Sequence, residues 1–238
     1  MATLNVISSG SHGNAYILDC NNEQLIIELG VNWNDLLDTL KYDLSKVVAC
    51  LSSHRHLDHS KSIPNAISFG LSVYSCEDVQ TIHPQVKVLK KGSKTRIGGF
   101  KVQPIVVYHD VECVSFLIEH QSFGKLVFIT DTNKIPYRFK GVNYLLVEAN
   151  SDFDEMVDNM CENDFSSSHH ENHMELSDTI DFLKENYTND VKGIVLLHLS
   201  STNINPNKAR KKVQEELGFE KVFIAKKGLT LQLESDNF

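Results

Sequence analysis

Leu51-Ser52-Ser53-His54-Arg55-His56-Leu57-Asp58-His59 follows the apolar run Val47 to Leu51 and places four candidate metal ligands within six residues. A run of that composition reads as a buried strand, and its abrupt polar ending marks the point where the backbone leaves the sheet. If the chain turns there and enters a helix at about Asp58, His54 and His56 can converge on one ion. Asp58 and His59 then face a neighbouring one. A single His-x-His pair is weak evidence of a metal site. Three imidazoles and a carboxylate side by side at a strand end are strong evidence, because a purely structural reading gives them no partner.

Three later stretches repeat the arrangement of a potential ligand just beyond an apolar strand. They are Val106-Val107-Tyr108-His109-Asp110, Phe128-Ile129-Thr130-Asp131-Thr132 and Leu196-Leu197-His198-Leu199-Ser200. Each alone is weak, since a polar residue after a strand is more often a capped turn. Together they place ligand types where open α/β sheets assemble their sites. The donors are nitrogen and oxygen without thiolate, which suits zinc or manganese and does not choose between them.

Further strands are expected at Leu4 to Ile7, Ala15 to Leu18, Gln24 to Leu29, Phe100 to Val107, Val114 to Glu119, Leu126 to Ile129, Tyr144 to Glu148 and Gly193 to Leu197. Val222 to Ala225 and Leu229 to Leu233 form a closing pair around a Lys-Gly turn. Leu176, Ile180 and Leu183 predict a helix behind a Ser177 cap, and Asn205-Pro206 opens a second that Gly218 closes. Asp152 to His173 is polar and mixed, with Met156, Met160 and Phe165 as anchors, and reads as a short helix plus a loop. Two β-rich halves with outer helices predict an α/β fold, a four-layer αβ/βα sandwich formed by residues 1–238 as a single domain.

At 238 residues with 41% apolar content the chain can bury a sizeable core, and it contains no apolar run of membrane-spanning length. The first ten residues alternate like a strand rather than a signal peptide, so a cytoplasmic location is expected. Five scattered cysteines, Cys20, Cys50, Cys76, Cys113 and Cys161, offer neither a disulfide framework nor a CxxC zinc site and are expected as buried filler. The net charge of -8 opposes a broad grip on duplex nucleic acid. Bound divalent ions would offset it locally for a small anion or a single strand.

His54-x-His56-x-Asp58-His59, with the three later stretches in order, resembles the signature of the metallo-β-lactamase superfamily over almost the whole chain. The resemblance implies that His54, His56 and His109 hold one divalent ion and that Asp58, His59 and His198 hold a second, with Asp131 bridging. Ser8-Ser9-Gly10-Ser11-His12-Gly13-Asn14, Glu148-Ala149-Asn150 and His198-Leu199-Ser200 resemble the bacterial YycJ-like (WalJ-like) branch, which is associated with nuclease activity. His173 occupies the place of that branch's Gly-His-Leu-Ser histidine. This implies a catalytic acid or a phosphate ligand, although the Gly and the adjacent Leu-Ser are absent, and a solvent-exposed histidine is the competing reading. Glu28 stands where the branch has an aspartate supporting the metal histidines. No arginine is found between Asp164 and Asn172, which leaves His169 or His170 as candidate phosphate contacts.

The implied activity is phosphodiester hydrolysis by a hydroxide shared between two ions and oriented by Asp58, on single-stranded nucleic acid or a small (cyclic) nucleotide. Thioester or lactone hydrolysis by the same centre is the competing chemistry, since fold alone does not determine substrate. A non-catalytic, metal-stabilised binding protein is the reading from another class. A homodimer through the polar stretch Asp152 to His173 is conceivable. Gly10 to Asn14 is read as a structural turn that lines the cleft, and His83 and His120 as surface residues. Lys208, Arg210, Lys211 and Lys212 are read as the solvated face of a helix.

Overall fold

The computed structural model describes residues 2–153, 155 and 172–235. The expected short helix and loop after Asp152, with His169, His170, Cys161 and the suggested dimer surface, lie outside the described residues, apart from residues 152, 153, 155, 172 and 173 at its ends.

The first half runs β1 (Ala2–Ser8), β2 (Ala15–Asp19), β3 (Gln24–Ile27), α1 (Trp33–Thr39), β4 (Val47–Leu51), α2 (Leu57–Ser60), α3 (Ile63–Ser68), β5 (Val73–Ser75), α4 (Glu77–Ile82) and β6 (Lys87–Val88). The second runs β7 (Thr95–Ile97), β8 (Phe100–Val107), β9 (Cys113–His120), β10 (Gly124–Ile129), β11 (Tyr144–Glu148), α5 (Leu176–Asn186), β12 (Gly193–Leu197), α6 (Pro206–Leu217), β13 (Val222–Ile224) and β14 (Thr230–Leu233).

Two mixed seven-stranded sheets result, ordered β14-β1-β2-β3-β4-β5-β6 and β13-β12-β11-β10-β9-β8-β7. In the second sheet β10, β11, β12 and β13 run parallel, whereas β7 to β10 form an antiparallel meander. Parallel strands need both faces covered, and β11 and β12 are accordingly buried at every position. Their side chains alternate between two cores. Tyr144, Leu146, Val195 and Leu197 join the larger cluster, which lies between the sheets and continues under Trp33, Leu36, Ile63 and Ala66. Leu145, Val147, Ile194 and Leu196 join a second cluster with Leu176, Ile180, Leu183, Ala209 and Val213 from α5 and α6. The Tyr16 ring of β2 meets the Phe128 ring of β10 edge-on, with centroids 5.2 Å apart, where the two sheets pack. Helices outside, sheets inside: this is the αβ/βα sandwich the patterning predicts.

Local chemistry accounts for most element ends. Asn205 caps α6 by accepting the N–H groups of Asn207 and Lys208, Pro206 sits in its first turn, and Gly218 ends it in the left-handed conformation. Helix α5 departs from the Ser177 expectation. Its N-cap is Glu175, and Ser177 lies inside the first turn, its hydroxyl donating to the Glu175 carboxylate. The third strand stops at Ile27, before the expected Leu29, because Glu28 turns into the left-handed region with φ 67°. Elements α1, α3, α4, β5, β6 and β7 lie where no individual element was assigned from the sequence. Each spans only two to seven residues, too short for a hydrophobic period to register.

His120 corrects the surface assignment. It is 5% exposed, its ring lies against Phe100 and Phe123, and its Nε2 stands 3.0 Å from the Glu23 carboxylate. The Ser122 N–H donates to Nδ1, so the proton facing Glu23 is on Nε2. His83 is half-buried at the end of α4.

Candidate metal centre

Four strand ends build the site: β4 leads to His54–His59, β8 to His109, β10 to Asp131 and β12 to His198. Three residues there, Glu28, Asp131 and His198, have φ values of 67°, 49° and 50°. For a residue with a β-carbon this costs about 1–2 kcal/mol, a strain that the packed sheets sustain and that turns each side chain off its strand into the cleft.

A knot of backbone holds the His54–His59 turn. The Asn14 N–H donates to Asp58 O at 2.8 Å, and Gly30 N–H donates to Asn14 O at 2.9 Å. The Asn14 side chain donates to Asp58 O and Gly10 O and accepts the Gly10 N–H. Close approach makes Gly30 obligatory: a β-carbon there would lie 1.6 Å from Asp58 O. The Gly10–Asn14 turn is thus structural, as expected, and the load it carries is the position of Asp58 and His59.

The predicted ligands gather into two adjoining groups, each of which could hold a metal ion, and a third such group joins Asp131 and His198 to Glu148 and His173. In the first, His54 Nε2 and His109 Nε2 lie 3.0 Å and 3.3 Å from His56 Nδ1. In the second, His59 Nε2 is 3.2 Å from carboxylate oxygens of both Asp58 and Asp131, and His198 Nε2 is 3.5 Å and 3.7 Å from oxygens of the same two residues. Asp131 Oδ2 also stands 3.7 Å from His54 Nε2 and 3.9 Å from His109 Nε2, so one carboxylate oxygen reaches both groups.

The donors fit a cation. Ring nitrogens of three histidines point at one another, an arrangement that suits a shared positive centre better than mutual hydrogen bonding. The buried His198 Nε2 has no hydrogen-bond partner. Burial and the neighbouring His59 charge hold His54 well below the ordinary imidazole range, and burial also lowers His109, which favours neutral rings at both positions. At His198 burial opposes protonation, but the charge of Asp131 and the nearby carboxylates of Asp58 and Glu148 push the pKa up to about 10. Asp131, Glu28 and Glu148 are essentially inaccessible, and so many buried carboxylates demand positive charge beside them.

Outer contacts orient the rings. Glu28 Oε2 lies 3.3 Å from His59 Nδ1 and accepts the Ser53 N–H, so it serves His59 despite its extra methylene. The Ser53 hydroxyl lies 2.8 Å from His54 Nδ1, and Asn172 O is 3.3 Å from His109 Nδ1. Asn150 Nδ2 donates to His198 O at 3.0 Å.

His173 is not a solvent-exposed histidine of the loop. Its ring stacks on His198 with centroids 5.2 Å apart and 13° between planes, and its Nδ1 is 2.5 Å from Glu148 Oε1. Glu148 also accepts the Thr132 N–H and lies 3.4 Å from His198 Nδ1, tying together the strand ends that carry Asp131 and His198. Sequence reading treated Glu148 only as part of a resembling motif. Its signal was an acid closing a strand otherwise entirely apolar, Tyr144-Leu145-Leu146-Val147-Glu148.

No family model matches the sequence. The chain is 27% identical over 250 residues to exodeoxyribonuclease YycJ of Bacillus anthracis, covering 90% of this chain and 89% of that protein. It is 24% identical over 166 residues to exodeoxyribonuclease WalJ of Streptococcus pneumoniae serotype 2, covering 62% of each. Among solved structures, the metallo-β-lactamase fold protein YhfI of Bacillus subtilis superposes with a TM-score of 0.74 at 18% identity, covering 97% of this chain and 98% of that one. These relationships give the chain the metallo-β-lactamase fold, and over most of its length its sequence is similar to that of exodeoxyribonuclease YycJ.

Proposed function

We propose that the two groups hold a pair of divalent ions, zinc or manganese, and that the protein hydrolyses phosphodiester bonds in single-stranded nucleic acid or a small nucleotide. The observation that carries the dinuclear reading is the reach of Asp131 Oδ2 to imidazoles of both groups. His54, His56 and His109 would hold one ion, Asp58, His59 and His198 the other, with Asp131 within reach of both groups. Bound divalent ions supply Lewis acidity, lowering the pKa of water toward neutrality and neutralising charge that develops on the phosphate. The relatives' exodeoxyribonuclease activity favours a phosphodiester over a thioester or lactone, and the cytoplasm over an oxidising compartment accords with the free, buried cysteines.

The protein's own groups divide the remaining work. Burial raises the Asp58 pKa, but the neighbouring His198 and His59 imidazoles outweigh it and hold the carboxyl well below its usual range. Asp58 is therefore an anion at the cleft edge, fit to accept a hydrogen bond from the attacking water and aim its lone pair at phosphorus. As the new P–O bond forms, the bond to the leaving oxygen breaks and that oxygen needs a proton. His173 supplies it. Burial lowers its pKa, yet the Glu148 hydrogen bond and charge raise it overall, so the imidazolium persists to a higher pH than an ordinary histidine. With Nδ1 held by Glu148, Nε2 is the atom that delivers the proton.

Hydrolysis of bis(p-nitrophenyl) phosphate and of a 5′-labelled single-stranded oligonucleotide by manganese- or zinc-loaded protein, beside Asp131→Ala, tests the proposal. Activity lost with the metal in Asp131→Ala is expected. Turnover should fall as pH rises through the raised His173 pKa, and His173→Gln should remove that limb. Two bound metals with no hydrolysis of either substrate would transfer the assignment to thioesters or lactones.

A further inference from the structure

Behind four of the five metal-site histidines stands an outer contact: Ser53 at His54, Glu28 at His59, the Asn172 carbonyl at His109 and Glu148 at His198. His56 is the fifth and the most open, its side chain 37% exposed, with Nδ1 turned toward His54 and His109. On the other side of its ring Nε2 meets the Asp110 carboxylate, whose Oδ2 is 3.5 Å away. The second oxygen of that carboxylate, Oδ1, is 3.1 Å from His109 Nε2. Asp110 enters no other ion pair or side-chain hydrogen bond among the described residues.

The turn that carries Asp110, residues 108–112 between β8 and β9, is braced at both ends. Tyr108 N–H donates to the Thr132 hydroxyl, and Tyr108 O accepts the Asn133 N–H, which ties the start of the turn to the end of β10. At its other end Glu112 accepts the Asp78 N–H with its carboxylate and the Cys76 thiol with its carbonyl. Asp110 is thus presented to the two imidazoles by a backbone fixed on either side.

We infer that Asp110 is a positioning residue of the first metal site, holding the His56 ring from outside with Nδ1 toward the ion. The inference rests on the dinuclear reading above. A neutral imidazole that offers one nitrogen as a ligand carries its proton on the other, and a carboxylate facing that proton sets both the tautomer and the ring orientation. His56 needs such a hold more than its neighbours do, because a ring open to water can turn over and replace Nδ1 by a carbon. Charge argues the same way. Asp58 belongs to the second group and Glu28 and Glu148 stand behind it, whereas the first is reached only by the shared Asp131. Asp110 is not among the donors that converge in the first group, so its contact is with the rings and not with the ion.

Zinc titration of metal-free protein in competition with a chromophoric chelator resolves the two binding steps and tests the assignment. Loss of an outer carboxylate lowers metal affinity by about 10–100-fold, and water screens a side chain that is 46% exposed, so Asp110→Asn should weaken one step about tenfold and leave the other unchanged. Asp110→Glu, which keeps the charge, should recover most of the loss. In the zinc-loaded protein the His56 Nε2 proton, identified by its disappearance in His56→Ala, should exchange with water faster in Asp110→Asn than in the wild type. The metal concentration for half-maximal hydrolysis of bis(p-nitrophenyl) phosphate should rise by the same factor as the weakened step. Unchanged zinc affinity, equal weakening of both steps, or an unaltered His56 proton in Asp110→Asn would overturn the assignment. A wild-type protein that binds two zinc ions and hydrolyses no phosphodiester would remove the phosphodiesterase reading, while one step that answers to Asp110→Asn would still uphold the role of Asp110.

Discussion

Replacing Gly30 by alanine tests how the metal turn is held. The added β-carbon would sit 1.6 Å from Asp58 O, 2.0 Å from Asp58 C and 2.7 Å from His59 N, all backbone atoms that no rotamer change can clear. Bringing the oxygen out to 3.0 Å requires a shift of about 1.4 Å in the segment carrying Asp58 and His59. Metal-ligand distances tolerate only about ±0.2 Å, so the second group of ligands should lose its ion while His54, His56 and His109 retain theirs. Overpacking against backbone should cost about 3 kcal/mol. At a urea m-value of about 2 kcal/mol/M this lowers the unfolding midpoint of the chelator-treated protein by roughly 1.5 M. Gly70→Ala is the control: its φ of +78° imposes left-handed strain, but the added carbon meets nothing within 4 Å, so the cost is about 1 kcal/mol. Urea titration and metal analysis by mass spectrometry read both effects. If Gly30→Ala kept full metal content and lost no more stability than Gly70→Ala, the close packing of Gly30 on Asp58 would not be what positions the turn.

Glu148→Gln and His173→Ala should each lower turnover about 100-fold, and the double variant little further, because the two act as a unit. Metal analysis should find His173→Ala fully loaded; equal metal loss in His173→Ala and Asp131→Ala would make His173 a ligand instead of an acid. At the far end of β9 from the site, His120→Ala should cost about 1–3 kcal/mol by orphaning Glu23, with kcat unchanged, as denaturation and steady-state kinetics would show. Burial raises the thiol pKa of all four described cysteines, to about 12 at Cys20 and Cys50. A folded Cys161→Ser variant should therefore show no fast-reacting thiol toward a disulfide reagent at pH 8, and four after unfolding in urea.

The sequence by itself identified the residues that the fold brings together. His54, His56, Asp58 and His59 are neighbours along the chain, so their grouping needs no tertiary information. His109, Asp131 and His198 each follow a run apolar enough to be recognised as a strand. The sandwich was legible for the same reason, since β10, β11 and β12 carry the apolar runs Leu126 to Ile129, Tyr144 to Val147 and Ile194 to Leu197. Tertiary structure alone decided the partners of Glu148, Asn14 and His120. Glu148 meets His173 and His198 because β11 and β12 pair in parallel with Glu148 opposite Leu197, one residue before His198. Asn14 reaches Asp58 across 44 positions, and His120 reaches Glu23 across 97. Such contacts are set by strand register and sheet packing, whose energies are summed over many residues, and a polar side chain carries no local mark of which distant group will face it.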